Sequence, residues 1–213
     1  MTPDLFADEI HDVALAPGAT LLAGFARSQD RRLIEAVAEV VALAPLRHMS
    51  TPGGHLMSVA MTNCGSLGWV TDGAGYRYDP CDPSTGRPWP RMPALFFDLA
   101  ARAAARAGYD GFAADACLIN RYEPGARLSL HQDKNERDFG QPIVSVSLGL
   151  PATFLFGGER RSDRPRRLPL SHGDVVVWGG ESRFVYHGIA TLAEGDHPAT
   201  GPLRINLTFR KAR

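Results

Sequence analysis

The run LSLHQDKNERD, residues 128–138, places His131 and Asp133 two positions apart in a strand-like context. Strand side chains alternate faces, so a His-x-Asp on a strand turns both groups to one side. Alone the pair is a weak signal, because polar residues at that spacing are common in surface loops. A third ligand stands downstream in FVYHGIA, where His187 interrupts an apolar run. A single histidine there is more often a satisfied core residue. Together, however, two imidazoles and one carboxylate form the set that holds Fe(II) on one face of an octahedron, with positions left for substrate and oxygen. A structural zinc site would be closed by four protein ligands, usually including cysteine. No cysteine neighbours either histidine, so His131, Asp133 and His187 are read as an open metal centre and the catalytic core.

The stretch RINLTFR adds a second kind of chemistry. Arg204, Asn206, Thr208 and Arg210 alternate with Ile205, Leu207 and Phe209, so period two sends the polar groups to one face and the apolar ones to the other. On an exposed sheet two such arginines would be unremarkable. Turned inward they need anions, and a dicarboxylic acid is a natural partner for guanidinium forks. In LINRY, Leu118, Asn120 and Tyr122 also share a face, and the Asn and Tyr suit a carboxylate.

These residues need elements to position them. SQDRRLIEAVAEVVALAP spaces Leu33, Ile34, Val37, Val40 and Val41 as a helix, with Ser28 or Asp30 available as a cap and Pro45 as a stop. PALFFDLAARAAARAG predicts a second helix with Pro93 in its first turn, Gly108 at its end, and Leu95, Phe96, Leu99 and Ala103 on one face. From about residue 113 onward, short β-rich runs punctuated by Gly and Pro predict a sandwich or jelly roll. Between the helices, residues 46–92 mix Gly, Pro and aromatics with only short alternating runs. That segment is expected to form a flap over a site, carried by the rigid remainder. The fold class expected is α+β, a β-barrel-like core buttressed by two helices, in one domain spanning 1–213.

Composition sets limits. The 213 residues carry no net charge, which argues against a protein that coats nucleic acid through a broad basic face. The arginines in ERRSDRPRR (Arg160, Arg161, Arg164, Arg166 and Arg167) read on charge alone as a solvated hairpin turn. No apolar run approaches the ~20 residues of a membrane span, and the acidic start MTPDLFADEI is unlike a secretory leader. Cys64, Cys81 and Cys117 form no metal-binding pattern, and three cannot all pair, so a reducing, cytoplasmic setting is expected.

The HxD…H…R order, the C-terminal RxNxTxR and the NxY ahead of HxD together resemble the AlkB family of Fe(II)/2-oxoglutarate-dependent dioxygenases. TPGG, MSVAMTNCG, PWP, HQDK, PIVSVSLGLPA, HGDVVVWGGESR and YHGI extend the likeness over residues 20–213. The resemblance implies a double-stranded β-helix (jelly roll) over 113–213, with N-terminal helices and a nucleotide-recognition lid at 46–92. It implies that His131, Asp133 and His187 bind Fe(II), while Leu118, Asn120, Tyr122, Arg204, Asn206, Thr208 and Arg210 line the 2-oxoglutarate pocket. Arg204 would grip the co-substrate near the metal and Arg210 its distal carboxylate. Met61, Trp69, Tyr76, Asn135 and Arg161 would meet the substrate, with Trp69 stacking on an extruded base opposite His131.

The implied activity uses molecular oxygen for oxidative demethylation of N-methylated bases such as 1-methyladenine and 3-methylcytosine, releasing formaldehyde, succinate and CO2. The implied partner is nucleic acid, preferably single-stranded DNA, with duplex DNA or RNA also open, and the implied state is a monomer. The sequence departs from the family at two points. Asn135 stands where the bacterial pattern has Asp, and residues 46–92 carry Arg47, Arg77, Arg87 and Arg91 against Asp72, Asp79 and Asp82, a thin basic excess. Weaker recognition of cationic bases and a modest, salt-sensitive strand grip are expected. Two other readings stand beside this one: the same chemistry on RNA, protein or lipid, and a non-catalytic metal-binding jelly roll of the cupin type.

Overall fold

The computed structural model describes residues 12–213, so the acidic stretch MTPDLFADEI lies outside the described residues. The described chain runs β1 (Val13–Ala16), β2 (Ala19–Leu22), α1 (Asp30–Leu43), β3 (Arg47–Ser50), β4 (Leu56–Gly65), β5 (Gly68–Asp72), β6 (Gly75–Asp79), α2 (Ala94–Arg106) and β7 (Ala116–Tyr122). It continues through β8 (Leu128–His131), β9 (Ile143–Gly149), β10 (Ala152–Phe156), β11 (Arg166–Leu170), β12 (Val175–Trp178), β13 (His187–Ile189) and β14 (Arg204–Arg210). An eight-stranded sheet has the order β1-β2-β12-β9-β14-β7-β4-β3, and a four-stranded sheet the order β11-β10-β13-β8. All named pairings are antiparallel. Two facing antiparallel sheets with helices behind one of them are the expected jelly roll.

Alternation along the large sheet divides the interior in two. Cys117, Ile119, Val144, Val146, Leu207 and Phe209 face α1 and α2 and pack on Leu33, Val37, Phe96 and Leu99. Their neighbours one residue away face the small sheet, where Met61, Leu118, Tyr122, Phe154 and Trp178 meet. Fully burying a Leu or Phe side chain contributes about 1.5–3 kcal/mol, so the helices earn their place by covering one face of β7, β9 and β14. That cover leaves the other face of the same strands free for polar work.

Both helices lie where periodicity predicts, but their ends differ. Neither Ser28 nor Asp30 caps α1: Gln29 occupies the cap, and Asp30 directs one carboxylate oxygen to His172 Nε2 at 2.9 Å. Asp30 is thus spent on a tertiary contact 142 residues away in sequence. The helix stops at Leu43, with Ala44 extended before Pro45, as proline disfavours helical geometry in the residue preceding it. Pro93 is the cap of α2 rather than its first-turn residue, and its carbonyl accepts from the Phe96 and Phe97 N–H groups. Gly108 closes α2 with φ +89°.

Two expectations about strands need correction. Residues 46–92 are not a flap throughout: β4 is ten residues long and pairs with β7 from Ala60↔Arg121 to Gly65↔Ala116. Its run from Val59 to Cys64 is buried on both faces, which removes the alternation that marks a half-exposed strand. Only β5 and β6 form a separate two-stranded hairpin. The strands β1 and β2, where no element was expected, extend the large sheet beyond β12.

Candidate active site

The two histidines are brought together by strand pairing. His187 on β13 is the register partner of His131 on β8, and their ring centroids lie 4.4 Å apart. Gly188 makes this approach feasible, because a Cβ there would lie 2.5 Å from the Leu128 carbonyl oxygen. Each imidazole is fixed in one tautomer by its own backbone. His131 Nδ1 donates to the Ser129 carbonyl at 2.9 Å and His187 Nδ1 to the Val185 carbonyl at 3.0 Å. Both Nε2 lone pairs are therefore left free for a metal.

Asp133 does not reach the site by strand alternation, since β8 ends at His131 and Asp133 lies in the loop beyond it. It is held by Arg210, whose Nε and Nη2 donate to Oδ2 at 2.9 and 2.7 Å. His131 Nε2 lies 3.8 Å from Asp133 Oδ1, and His187 Nε2 lies 3.7 Å from Oδ2. The ligand atoms of all three residues fall within 4.8 Å of one another, close enough for one ion to bind them all. Burial opposes ionisation of Asp133, but the adjacent Arg210 together with His187 and His131 outweighs it and holds the carboxyl below its usual range. Burial pushes the His187 pKa down to about 3, so its ring is neutral at ordinary pH. Two neutral imidazoles and one carboxylate suit Fe(II).

Behind the triad a cavity of about 830 Å³ is lined by every candidate residue, from Met61 on β4 to Arg210 on β14. The register puts Asn206 opposite Asn120, Arg204 opposite Tyr122 and Thr208 opposite Leu118, so the polar face of β14 does point inward. Asn120 Nδ2 donates to Asn206 Oδ1, which also accepts from the Thr208 hydroxyl, while Asn206 Nδ2 donates to Ser145 Oγ. This bonding holds the pocket floor in one arrangement.

Arg204 is the informative member. It is 1% exposed, its Nη2 donates to Ser147 Oγ at 2.9 Å, and its guanidinium lies 4.8 Å from the Tyr122 ring centroid. Its Nε and Nη1 are buried without partners. A buried guanidinium with two free donors is costly unless an anion completes it, and a carboxylate of a bound dicarboxylic acid has the matching fork. The expected order of the arginines is reversed: Arg210, which bonds Asp133, is the one at the metal end, and Arg204 occupies the other end of β14. Ser145, Ser147, Glu136 and Arg183 were not anticipated. Ser147 was detectable in the period-two pattern of PIVSVSLGL, but Glu136 and Arg183 gave no periodic signal.

Over the cavity mouth stands the β5–β6 hairpin. Asn63, fully buried on β4, clasps the backbone of Trp69 by donating from Nδ2 to its carbonyl and accepting its N–H. Trp69 and Tyr76 stack with centroids 5.8 Å apart, and Trp69 Nε1 donates to Asn135 Oδ1 at 3.3 Å. Met61 is buried beneath, and Arg161 reaches the rim from an exposed turn between β10 and β11. Arg166, expected to be only solvated, donates to the Leu15 carbonyl at 2.6 Å.

Comparison with known proteins agrees with this geometry. The 2OG-Fe(II) oxygenase superfamily profile matches residues 18–210. The chain is 60% identical over 210 residues to the alpha-ketoglutarate-dependent dioxygenase AlkB of Escherichia coli K12, covering 98% of this chain and 97% of that protein. It is 44% identical over 187 residues to an AlkB homolog of Caulobacter vibrioides, covering 87% and 83% respectively. The solved structure of OsALKBH1 superposes with a TM-score of 0.81 at 27% identity, covering 94% of this chain and all of that one. Sheet topology, the His–Asp–His triad, the inward arginines and this extent of similarity lead to one assignment: the chain belongs to the 2OG-Fe(II) oxygenase superfamily and, within it, to the AlkB family.

Proposed function

We propose that this protein is an Fe(II)- and 2-oxoglutarate-dependent dioxygenase that removes methyl groups from the nitrogens of nucleic-acid bases. One observation carries the co-substrate assignment: the unpartnered, buried Nε and Nη1 of Arg204, in the cavity that also holds the His–Asp–His triad. A purely structural metal site of the cupin type has no use for that guanidinium. When bound, iron and 2-oxoglutarate supply the oxidation of an N-methyl carbon by molecular oxygen, with succinate, CO2 and formaldehyde as products.

The chain's own residues do the rest. His131 and His187 would present Nε2, and Asp133 a carboxylate oxygen, to the metal. Arg204 would hold the distal carboxylate of 2-oxoglutarate, placed by the Tyr122 ring and Ser147. Arg210 keeps Asp133 ionised and oriented at the metal end. Leu118, Asn120, Asn206 and Thr208 shape the pocket between the arginines.

Trp69 and Tyr76 offer a flat apolar wall at the mouth, suited to an unstacked base with His131 opposite. Met61 bounds that pocket from below, Asn135 reads the base edge, and Arg161 meets phosphate or base at the rim. The β5–β6 hairpin within residues 46–92 serves as the base-recognition lid, on a catalytic core of residues 113–213 joined to it in a single domain. Relatives include a DNA N(6)-methyladenine demethylase of Arabidopsis thaliana and a tRNA demethylase of Schizosaccharomyces pombe, which supports nucleic acid as the substrate class. Single-stranded DNA is the preferred form, since a paired base cannot reach the metal without extrusion.

Among the described residues no helix is long and apolar enough to cross a membrane, and Cys64, Cys81 and Cys117 are unpaired. Unpaired cysteines suit a reducing, cytoplasmic setting, and we take the protein to act as a monomer. The test is mass spectrometry of short single strands carrying 1-methyladenine or 3-methylcytosine, incubated with Fe(II), ascorbate and 2-oxoglutarate, beside Asp133→Ala. Methyl loss with the wild type alone is expected. Succinate formation without methyl loss would reject these lesions as substrate and leave RNA, a protein or a lipid to be tried.

A further inference from the structure

The loop that carries Asp133 is fixed by a buried group of charges that neither ligates the metal nor stacks on a base. Arg183 is 2% exposed, and all three of its guanidinium nitrogens are committed. Nη1 donates to the Asp133 carbonyl at 2.7 Å, Nη2 to Glu136 Oε2 at 2.9 Å and Nε to the Gln141 carbonyl at 3.2 Å. The Phe139 and Phe184 rings flank it at 5.5 and 5.6 Å. Glu136 is itself buried, and its second oxygen lies 3.5 Å from Arg210 Nε. That same oxygen accepts from the Tyr78 hydroxyl at 2.5 Å. Tyr78 stands on β6, directly across from Trp69 on β5.

An unbroken chain of hydrogen bonds and ion pairs therefore joins the hairpin over the cavity mouth to the carboxylate of a metal ligand. Glu136 is the counterion shared by two buried arginines, and its position sets where both guanidinium groups sit. Lifting the hairpin withdraws the Tyr78 hydroxyl from Glu136 and leaves a buried carboxylate under-bonded. Any shift of Glu136 loosens Arg183 on the Asp133 backbone and Arg210 on the Asp133 side chain. In the opposite direction, a metal ion that fixes Asp133 fixes Arg210 and Glu136, and so holds the hairpin down.

We propose that Tyr78, Glu136 and Arg183 are positioning residues that make docking of the β5–β6 hairpin and metal binding at Asp133 one linked equilibrium. The inference rests on the metal-site reading above. Linkage requires the coupling to be reciprocal: metal stabilises the docked hairpin by the same factor that docking strengthens metal binding. The consequence for function is that loading the site holds the base-recognition wall more firmly in place.

The experiment is hydrogen–deuterium exchange on the full chain, with and without Co(II), in the absence of 2-oxoglutarate and oligonucleotide. Wild type, Tyr78→Phe and Arg183→Lys are compared, with Co(II) affinity measured alongside. In the wild type, Co(II) should slow exchange across residues 68–79. Tyr78→Phe should abolish that slowing and weaken Co(II) roughly tenfold, the value of one hydrogen bond to a charged group. Arg183→Lys keeps a charge but cannot reach three acceptors, and it should weaken Co(II) as well.

Equal Co(II)-dependent protection in Tyr78→Phe and the wild type would overturn the coupling. So would a Tyr78→Phe hairpin that exchanges faster by the same factor with and without metal, since that marks a merely structural hydroxyl. Absence of Co(II) binding to the wild type would instead reject the metal-site reading, and with it this inference.

Discussion

Replacing Arg204 by methionine separates two consequences of a buried guanidinium that usually travel together. In the folded chain only Nη2 has a hydrogen-bond partner, Ser147, while Nε and Nη1 have none. The charge is thus incompletely compensated without ligand, and methionine fills much of the same space with no charge to desolvate. Exchanging buried, poorly paired charge for packed apolar volume is commonly neutral or stabilising by about 1–4 kcal/mol. The melting temperature of ligand-free Arg204→Met should therefore equal or exceed that of the wild type.

Binding should move the other way. Two hydrogen bonds to a carboxylate, at about 1.5–3 kcal/mol each, put the lost interaction at roughly 3–6 kcal/mol. At 1.4 kcal/mol per decade the Kd for 2-oxoglutarate rises about a hundredfold or more. The assay is calorimetric titration of 2-oxoglutarate into Mn(II)-loaded protein without oxygen, repeated with 2-oxobutanoate, which lacks the distal carboxylate. The wild type should strongly prefer 2-oxoglutarate, and Arg204→Met should treat the two acids nearly alike. A Kd for 2-oxoglutarate within threefold of wild type, or an undiminished preference between the acids, would refute the assignment of Arg204 to the distal carboxylate.

Other perturbations test other parts of the site. Trp69→Ala should cost about 1–3 kcal/mol in affinity for a methylated single strand, measured by fluorescence anisotropy, while 2-oxoglutarate binding stays unchanged. Asn135→Asp keeps an acceptor for Trp69 Nε1 and adds charge, so kcat/KM on cationic 1-methyladenine should rise several-fold relative to a neutral lesion in steady-state assays. Gly188→Ala places a methyl group against the Leu128 carbonyl and should separate His131 from His187, seen as loss of Co(II) binding in a protein that still folds by circular dichroism. Burial would raise the Asp82 pKa, but the Arg47 guanidinium at 2.7 Å and the hydrogen bonds donated by the Ser84 N–H and hydroxyl together outweigh this and lower it. Its stabilisation is accordingly present above the ordinary carboxylate pKa near 4 and lost as pH falls through the depressed folded value. Asp82→Asn should lower the melting temperature at pH 7 and flatten its decline below about pH 4.

What the sequence determined was what period and residue type alone can encode. RINLTFR assigns Arg204, Asn206, Thr208 and Arg210 to one face and Ile205, Leu207 and Phe209 to the other, and the structure keeps that division. The helical spacing of Leu33, Val37 and Val40 likewise identifies the face of α1 that packs on the sheet. His131 and His187 were legible as ligands by type. Their direct pairing across β8 and β13 depended on a strand register that is not local.

Tertiary structure decided the rest wherever long-range contacts outweigh local pattern. β4 reads as irregular because its run from Val59 to Cys64 is buried on both faces, so no alternation marks it. Asp133 seemed to follow from strand period, yet the strand ends two residues earlier and Arg183 and Arg210, distant in sequence, hold it instead. The same holds for the arginines of β14. Their shared face is a property of the backbone period, but which one meets Asp133 and which is left with free donors depends on the strands and loops packed at each end, and only the folded chain brings those together.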